Sequence, residues 1–175
     1  MRLIPAFLFS VSMALAFATS AHAEIRVLTS IKPLQLIAAA VQDGVGTPDV
    51  LLPPGASPHH FTLRPSDIIR VREADLLYWI GPDLESFLPK VLEGRTDPAL
   101  AVQDIEGLHL RRFGEEHRHG DEHAAEHGHQ EHEEEEMQGE HDDLHRPGAL
   151  DAHLWLEPGN ARLVAAQIAG DLSVA

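Results

Sequence analysis

Apolar residues occur from residue 25 onward in two patterns, short continuous runs and repeats every three to four positions. The run Ile25–Leu28 is β-rich and predicts a strand. Helical spacing then predicts a helix over Ile31–Val41, with Ser30 as its N-cap and Pro33 in its first turn. A short strand is expected next, ending at the Pro-Gly turn of residues 54–55.

The middle of the chain continues this alternation. Pro65 is expected at the first position of a second helix. The buried face of that helix is predicted to carry Ile68, Ile69 and Ala74. Residues 75–81 form a continuous apolar run between turn residues, which predicts a strand buried on both faces.

Two further elements are predicted before the chain becomes strongly polar. A clean apolar stripe predicts a helix over residues 84–92, and Pro89 should kink or shorten it. Residues Leu100–Ile105 are expected to form another strand.

The apolar pattern resumes at residues 151–158, which are predicted to form a strand with His153 and Trp155 on the same side. Pro158 is expected to open a last amphipathic helix. Strands that alternate with helices indicate an α/β fold, in which a parallel sheet is flanked by helices. In such folds ligands bind at the carboxyl ends of the strands.

The first 23 residues have the composition of a secretory signal peptide. Arg2 provides the positive start, an apolar run follows, and Ala21-His22-Ala23 predicts cleavage after Ala23. The apolar run is shorter than the roughly 20 residues that span a bilayer, so we predict an exported chain without direct membrane insertion. Because the chain has no Cys, a metal site would use nitrogen and oxygen ligands.

Residues 117–145 contain eight His and eleven acidic residues with one Arg, a net charge of −10 within the −15 of the whole chain. This local acidity argues against nucleic acid as a partner. We predict a disordered His/Asp/Glu-rich loop over residues 114–148. Its imidazoles are predicted to be weak metal sites: His117, His119, His123, His127, His129, His132, His141 and His145.

The segment from His123 to His127 matches the H-x-x-E-H pattern of some metallopeptidases. A stretch so rich in His and Glu produces such a match by chance, and the pattern requires a packed helix. We therefore reject peptidase activity. We find no other catalytic constellation, and the chain is not expected to be an enzyme.

Three histidines outside the loop are stronger candidates for a metal site. His59 and His60 lie in a proline-rich segment after a predicted strand, and adjacent side chains in extended backbone point to opposite sides. His153 precedes the apolar run near the end of the chain. From these positions alone, each could equally be a structural or surface histidine.

Three ordered motifs make the pattern specific: LLPPGASPHHFTLRPSD at 51–67, ADLLYWIGPDLESFL at 74–88 and DAHLWLEPGNAR at 151–162, with the His-rich loop before the third. Together they resemble the periplasmic zinc-binding proteins of bacterial ABC importers, of the high-affinity zinc-uptake type. Members of that family have two α/β lobes joined by a long helix, with the metal between the lobes.

The resemblance implies that residues 24–113 and 149–175 form the N-terminal lobe of a protein about twice this length. It implies zinc ligands at His59 and His153, an accessory role at most for His60, and a third histidine in a lobe beyond this sequence. It also implies a periplasmic protein that captures Zn²⁺ and delivers it to the membrane permease of an ABC transporter. Two alternatives remain open, a His-rich periplasmic metal buffer and a manganese-binding member of the same family.

Overall fold

The computed structural model describes residues 25–114 and 148–175. Within them the chain forms four β-strands, four α-helices and two 3₁₀-helices: β1 (Val27–Thr29), α1 (Lys32–Val41), β2 (Asp49–Val50), α2 (Pro65–Glu73), β3 (Leu76–Trp79), α3 (Pro89–Leu92), β4 (Ala99–Ala101), the first 3₁₀-helix (Val102–Asp104), the second 3₁₀-helix (Leu154–Leu156) and α4 (Pro158–Val174). Apart from Gly114 and Gly148, the predicted signal peptide and disordered loop lie outside the described residues.

The strands form one parallel sheet in the order β2-β1-β3-β4, as the predicted α/β fold requires. The chain leaves β1 toward β2 through α1, then crosses back over β1 to β3 through α2. Because such crossovers are right-handed, the reversal places α1 and α2 on opposite faces of the sheet. Accordingly, α1 packs against α4, and α2 packs against α3.

The core lies on both sides of the two central strands. All residues of β1 and β3 are buried, so the buried strand predicted within residues 75–81 is confirmed, with the shorter bounds Leu76–Trp79. Helices on the two faces contribute Leu34, Val71 and Val164 to this core. The buried Tyr78 donates a hydrogen bond to Asp171 Oδ2 at 2.9 Å, which ties α4 to β3.

The order of the strands reverses beside β1, so the loops after β1 and β3 diverge and leave a crevice at their carboxyl ends. A buried polar pair occupies this position. Ser30 Oγ lies 2.5 Å from Glu85 Oε1, and the main-chain N–H groups of Ile80 and Gly81 also donate to the Glu85 carboxyl. Burial raises the pKa of Glu85 to about 7 despite these donors, because burial disfavours the charged form.

This pair also explains why the predicted helix cap at Ser30 is wrong. Helix α1 has Ile31 at its N-cap without a side-chain hydrogen bond. The Ser30 side chain is fully buried and is engaged by Glu85 instead. The prediction of Pro33 in the first turn is confirmed.

The helix that begins at Pro65 is confirmed, and Ala74 is buried as predicted, but Ile68 is only half-buried and the prediction is wrong at Ile69. Ile69 is 54% exposed, whereas Asp67 and Val71 are buried. Asp67 turns inward because its carboxylate accepts from the Arg64 main-chain N–H and pairs with the Arg64 guanidinium.

The predicted helix over residues 84–92 is also shorter than expected. Only Pro89–Leu92 is helical, with Pro89 in its first turn, where a missing N–H costs little. Leu84 and Leu88 are nevertheless fully buried through turns. The strand predicted over residues 100–105 is also shorter than expected. It ends at Ala101, and Val102–Asp104 forms a 3₁₀-helix.

The predicted strand over residues 151–158 is wrong, because Leu154–Leu156 forms a 3₁₀-helix. Hydrogen bonds with the side chains of Asp151 and Asn160 fix this segment, where the prediction expected pairing with a strand. Pro158 opens α4 as predicted. Throughout the part of the chain that the structure describes, no helix is long and apolar enough to cross a membrane.

The buried carboxyl of Glu85 makes folding stability depend on pH. Its pKa of about 7 in the folded state lies above its ordinary value of 4.5, so the folded state retains a proton that the unfolded state releases. This contribution is complete below pH 4.5 and is lost as the pH rises through 7, a change of at most about 3 kcal/mol.

We therefore expect Glu85→Gln to flatten the decline in the free energy of unfolding between pH 4.5 and 7.5, measured by urea denaturation. Asp83→Asn, a change at an exposed carboxylate two residues away, is the matched control and should leave the decline unchanged. An equally steep decline in the Glu85→Gln protein would contradict the assignment.

Candidate metal-binding site

The segment that carries His59 and His60 continues from β2 at the carboxyl edge of the sheet. The main-chain N–H groups of Leu51 and Leu52 donate to the carbonyl oxygens of Thr29 and Ser30, so the segment stays fixed to β1 beyond the short strand. It then turns at Gly55, whose φ of +80° is a conformation that favours glycine. The loop therefore leaves the sheet from a defined point.

Two further contacts fix the end of this loop. The His59 N–H donates to Ser57 Oγ at 3.3 Å, and the Phe61 ring packs edge-on against Phe87 with centroids 5.7 Å apart. His59 is half-buried and His60 is exposed, although the backbone bends at residues 58–60 and is not the extended segment that was expected.

His153 approaches the same edge from the opposite end of the described chain. Its ring Nδ1 lies 2.8 Å from Asp151 Oδ1, and its main-chain N–H donates to the same oxygen at 3.2 Å. The other carboxylate oxygen of Asp151 accepts from Arg111 at 2.9 Å. Partial burial raises the pKa of Asp151, but the hydrogen bonds from Arg111 and His153 outweigh this effect and hold the pKa below its ordinary value.

A short antiparallel clasp, formed by residues 111–113 and 148–151, holds Arg111 opposite Asp151. Arg112 and Leu150 form its bridge. The Asp151 N–H donates to the Arg111 carbonyl at 2.8 Å, and the Phe113 N–H donates to the Ala149 carbonyl at 3.0 Å. The two flanks of residues 115–147 therefore meet beside His153.

The buried side chain of Asn160, in the first turn of α4, positions the second 3₁₀-helix. Its Oδ1 accepts from the His109 N–H at 2.8 Å, and its Nδ2 donates to the carbonyl oxygens of His109 and Leu154 at 3.0 and 3.1 Å. Asn160 thus connects His109, two residues before the clasp, with the second 3₁₀-helix and with α4.

These elements bring His59 and His153 together although they are far apart in sequence. Their ring centroids lie 6.2 Å apart, with the planes inclined at 57°. Two imidazoles bound to one tetrahedral zinc at about 2.0–2.1 Å would have centroids about 5 Å apart. The observed centroid separation is about 1 Å longer, so the two rings lie close to the spacing that a shared metal ion requires.

The surroundings of this His59–His153 pair are mixed in polarity. The His60 ring lies 6.3 Å from that of His59, and the Trp155 ring lies 5.4 Å from that of His153. Trp155 thus lies beside His153 as expected, although the backbone is not a strand. Among residues 25–114 and 148–175, no three His, Cys, Asp or Glu side chains converge as a metal ion requires. The eight histidines of the predicted loop lie outside the described residues.

Several residues that build this site were missing from the sequence-based prediction. Asp151 precedes His153 by two residues, a spacing that could have suggested the contact. Asn160 lies four residues before Val164, in line with the apolar stripe of the last helix, and could have been suspected as buried. Arg111 and Glu85 gave no local signal, because their partners are 40 and 55 residues away.

Comparisons with known proteins agree with the resemblance found in the sequence. A family model described as zinc-uptake complex component A, periplasmic, matches residues 27–175. The high-affinity zinc uptake system protein ZnuA of Yersinia pestis is 40% identical over 147 residues, which cover 81% of this chain and 44% of that protein. The protein of the same name from Brucella abortus is 36% identical over 169 residues, covering 83% of this chain and 48% of the relative.

Solved structures share the fold at low sequence identity. The metal-dependent lipoprotein YcdH of Bacillus subtilis matches with a TM-score of 0.56 and 19% identity, over 85% of this chain and 43% of that chain. A manganese-bound periplasmic metal binding protein from candidatus liberibacter asiaticus matches with a TM-score of 0.58 and 19% identity, over 85% and 44%. These likenesses support the α/β architecture.

The chain spans about half the length of the curated relatives that it matches. The family match nevertheless includes the segment with His59, the segment with His153 and both strands of the clasp. The chain therefore belongs to the family of periplasmic zinc-uptake component A proteins.

Proposed function

We propose that this chain takes part in zinc uptake, as the periplasmic protein that captures Zn²⁺ and delivers it to the permease of an ABC transporter. The observation that carries the proposal is the approach of His59 and His153 to 6.2 Å at the carboxyl edge of the sheet. The function is binding and release of an ion, with no bond made or broken in a substrate. The names of the relatives, which are zinc uptake proteins, support zinc as the cargo.

His59 and His153 would supply two of the four ligands that zinc prefers. His60 is an accessory ligand at most, because its side chain is exposed whereas that of His59 is half-buried. Remaining positions would be filled by water or by a histidine from a second lobe, as the family resemblance implies. Two imidazoles favour zinc over manganese, which prefers carboxylate, carbonyl and water oxygens.

The His-rich residues 117–145 would collect zinc at many weak sites near the His59–His153 pair. Support for this role comes from the clasp, which places both flanks of the tract beside His153. A high content of imidazole and carboxylate allows transient coordination without a packed core.

We expect the double substitution His59→Ala and His153→Ala to remove the tightest zinc-binding event, measured by competition with a fluorescent chelator on the full chain. The double substitution removes both imidazoles of the pair that we propose holds the ion. His109→Ala is the matched control, because it removes an exposed imidazole whose main chain, and not its ring, is bonded to Asn160. Unchanged tight binding in the double variant would contradict the proposed site.

The same titration in the presence of equimolar Mn²⁺ tests the choice of metal. We expect Mn²⁺ to leave zinc occupancy of the pair unchanged at equal concentrations, because manganese is the weaker binder of nitrogen ligands. Displacement of zinc by equimolar Mn²⁺ would favour the manganese alternative.

Replacing residues 117–145 by a Gly-Ser linker tests the metal-buffer alternative. We expect the number of weakly bound zinc ions to fall while the tightest event remains, since His59 and His153 are retained. The same linker should be placed in a full-length member of the family, and that protein expressed in cells whose own zinc-uptake protein has been deleted. We expect these cells still to grow under zinc starvation. Complete loss of zinc binding would instead assign the function to the tract.

A further inference from the structure

We propose that Arg111 and Asp151 are positioning residues that hold His153 with its ring proton on Nδ1, so that Nε2 carries the lone pair that binds the metal. The proposal rests on the proposed function, because it assumes that His153 binds zinc. It assigns a role to two side chains that do not themselves touch the ion.

Asp151 fixes the ring of His153 through one oxygen. Its Oδ1 lies 2.8 Å from Nδ1 and accepts the His153 main-chain N–H at 3.2 Å. An ionised carboxylate can only accept hydrogen bonds, so the nitrogen that faces it must carry the proton. Nε2 is then the nitrogen with a lone pair, which is the form that binds a metal ion.

Arg111 fixes the carboxylate through the other oxygen. Its guanidinium lies 2.9 Å from Asp151 Oδ2, and only 14% of the Asp151 side chain is exposed. The clasp holds the two residues opposite each other, since the Asp151 N–H also donates to the Arg111 carbonyl. Both oxygens of Asp151 are therefore engaged, and the carboxylate cannot rotate without breaking two contacts.

The same arrangement argues against Asp151 as a direct metal ligand. A carboxylate that binds zinc gives up an oxygen to the metal at about 2.0–2.2 Å. Here one oxygen is held by Arg111 and the other by the backbone and ring of His153. A carboxylate behind a ligating imidazole orients the ring and increases its basicity, and its loss typically costs about 10–100-fold in metal affinity.

The first test is the tautomer of His153 in the metal-free full chain, measured from long-range ¹H–¹⁵N correlations of the imidazole ring. We expect a proton on Nδ1 in the wild-type protein, a measurement that needs no variant and no zinc. A proton on Nε2 would overturn the proposal. Because this measurement is made without metal, its failure is distinguishable from failure of the proposed zinc site.

Substitutions then test the role of each residue. We expect Asp151→Asn to yield a mixture of tautomers and to weaken zinc binding about 10–100-fold. Arg111→Ala should also yield a mixture of tautomers, with a smaller loss of zinc affinity. Arg111→Lys should retain part of the affinity that Arg111→Ala loses. Arg112→Ala is the matched control, since this neighbouring Arg bonds the Gly148 carbonyl and not Asp151.

Three outcomes would overturn the positioning role. The first is an Asp151→Asn protein with wild-type tautomer and wild-type affinity, which would make the contact incidental. The second is an oxygen ligand from Asp151 in the zinc X-ray absorption spectrum, lost in the Asn variant, which would make Asp151 a ligand. The third is an equal loss of affinity in the Arg111→Ala and Arg112→Ala proteins, which would show that the clasp acts only through folding.

Discussion

Parallel pairing of β1 with both β2 and β3 is the constraint on which the rest of the structure depends. It directs the carboxyl ends of all four strands to one edge, so that segments distant in sequence meet there. It also creates the crevice beside β1 where the chain reverses the direction of its crossovers. The buried Ser30–Glu85 pair lies at the base of this crevice, and the His59 loop and His153 lie at the same edge of the sheet. A polar floor of this kind is tolerated because each buried oxygen of Glu85 accepts at least one hydrogen bond.

A second layer of polar contacts converts this edge into a defined site. Asn160 joins α4 to the segments on both sides of the clasp, and the clasp places Arg111 against Asp151. Asp151 in turn engages the ring of His153. The contacts of Asn160 with His109 and of Arg111 with Asp151 link residues 51 and 40 positions apart, so the site depends on the assembled fold. The sequence neighbours of His153 thereby provide orientation, and the sheet provides proximity to His59.

The strength of the sequence pattern explains which features could be predicted. The alternation of apolar periods determines the α/β class, and the prolines at 65 and 158 mark helix starts that the structure confirms. Predictions failed where a polar contact outcompeted local preference, as at Ser30, which bonds Glu85 instead of capping a helix. The strand prediction for the segment after His153 failed for a similar reason. There Asp151 accepts a hydrogen bond from the His153 N–H and Asn160 donates one to the Leu154 carbonyl, in place of the strand pairing expected of an apolar run. His59 and His153 could be selected from their motifs, but their distance of 6.2 Å depends on long-range packing that no local pattern contains.

The central claim is that His59 and His153 bind the same metal ion. Cadmium-113 NMR tests it most directly, because ¹¹³Cd is a zinc surrogate whose coupling to ligating ¹⁵N nuclei identifies each imidazole. With one equivalent of ¹¹³Cd²⁺ added to the ¹⁵N-histidine-labelled full chain, the account predicts a single cadmium signal coupled to nitrogens of both His59 and His153. A first equivalent coupled only to histidines of residues 117–145 would contradict it.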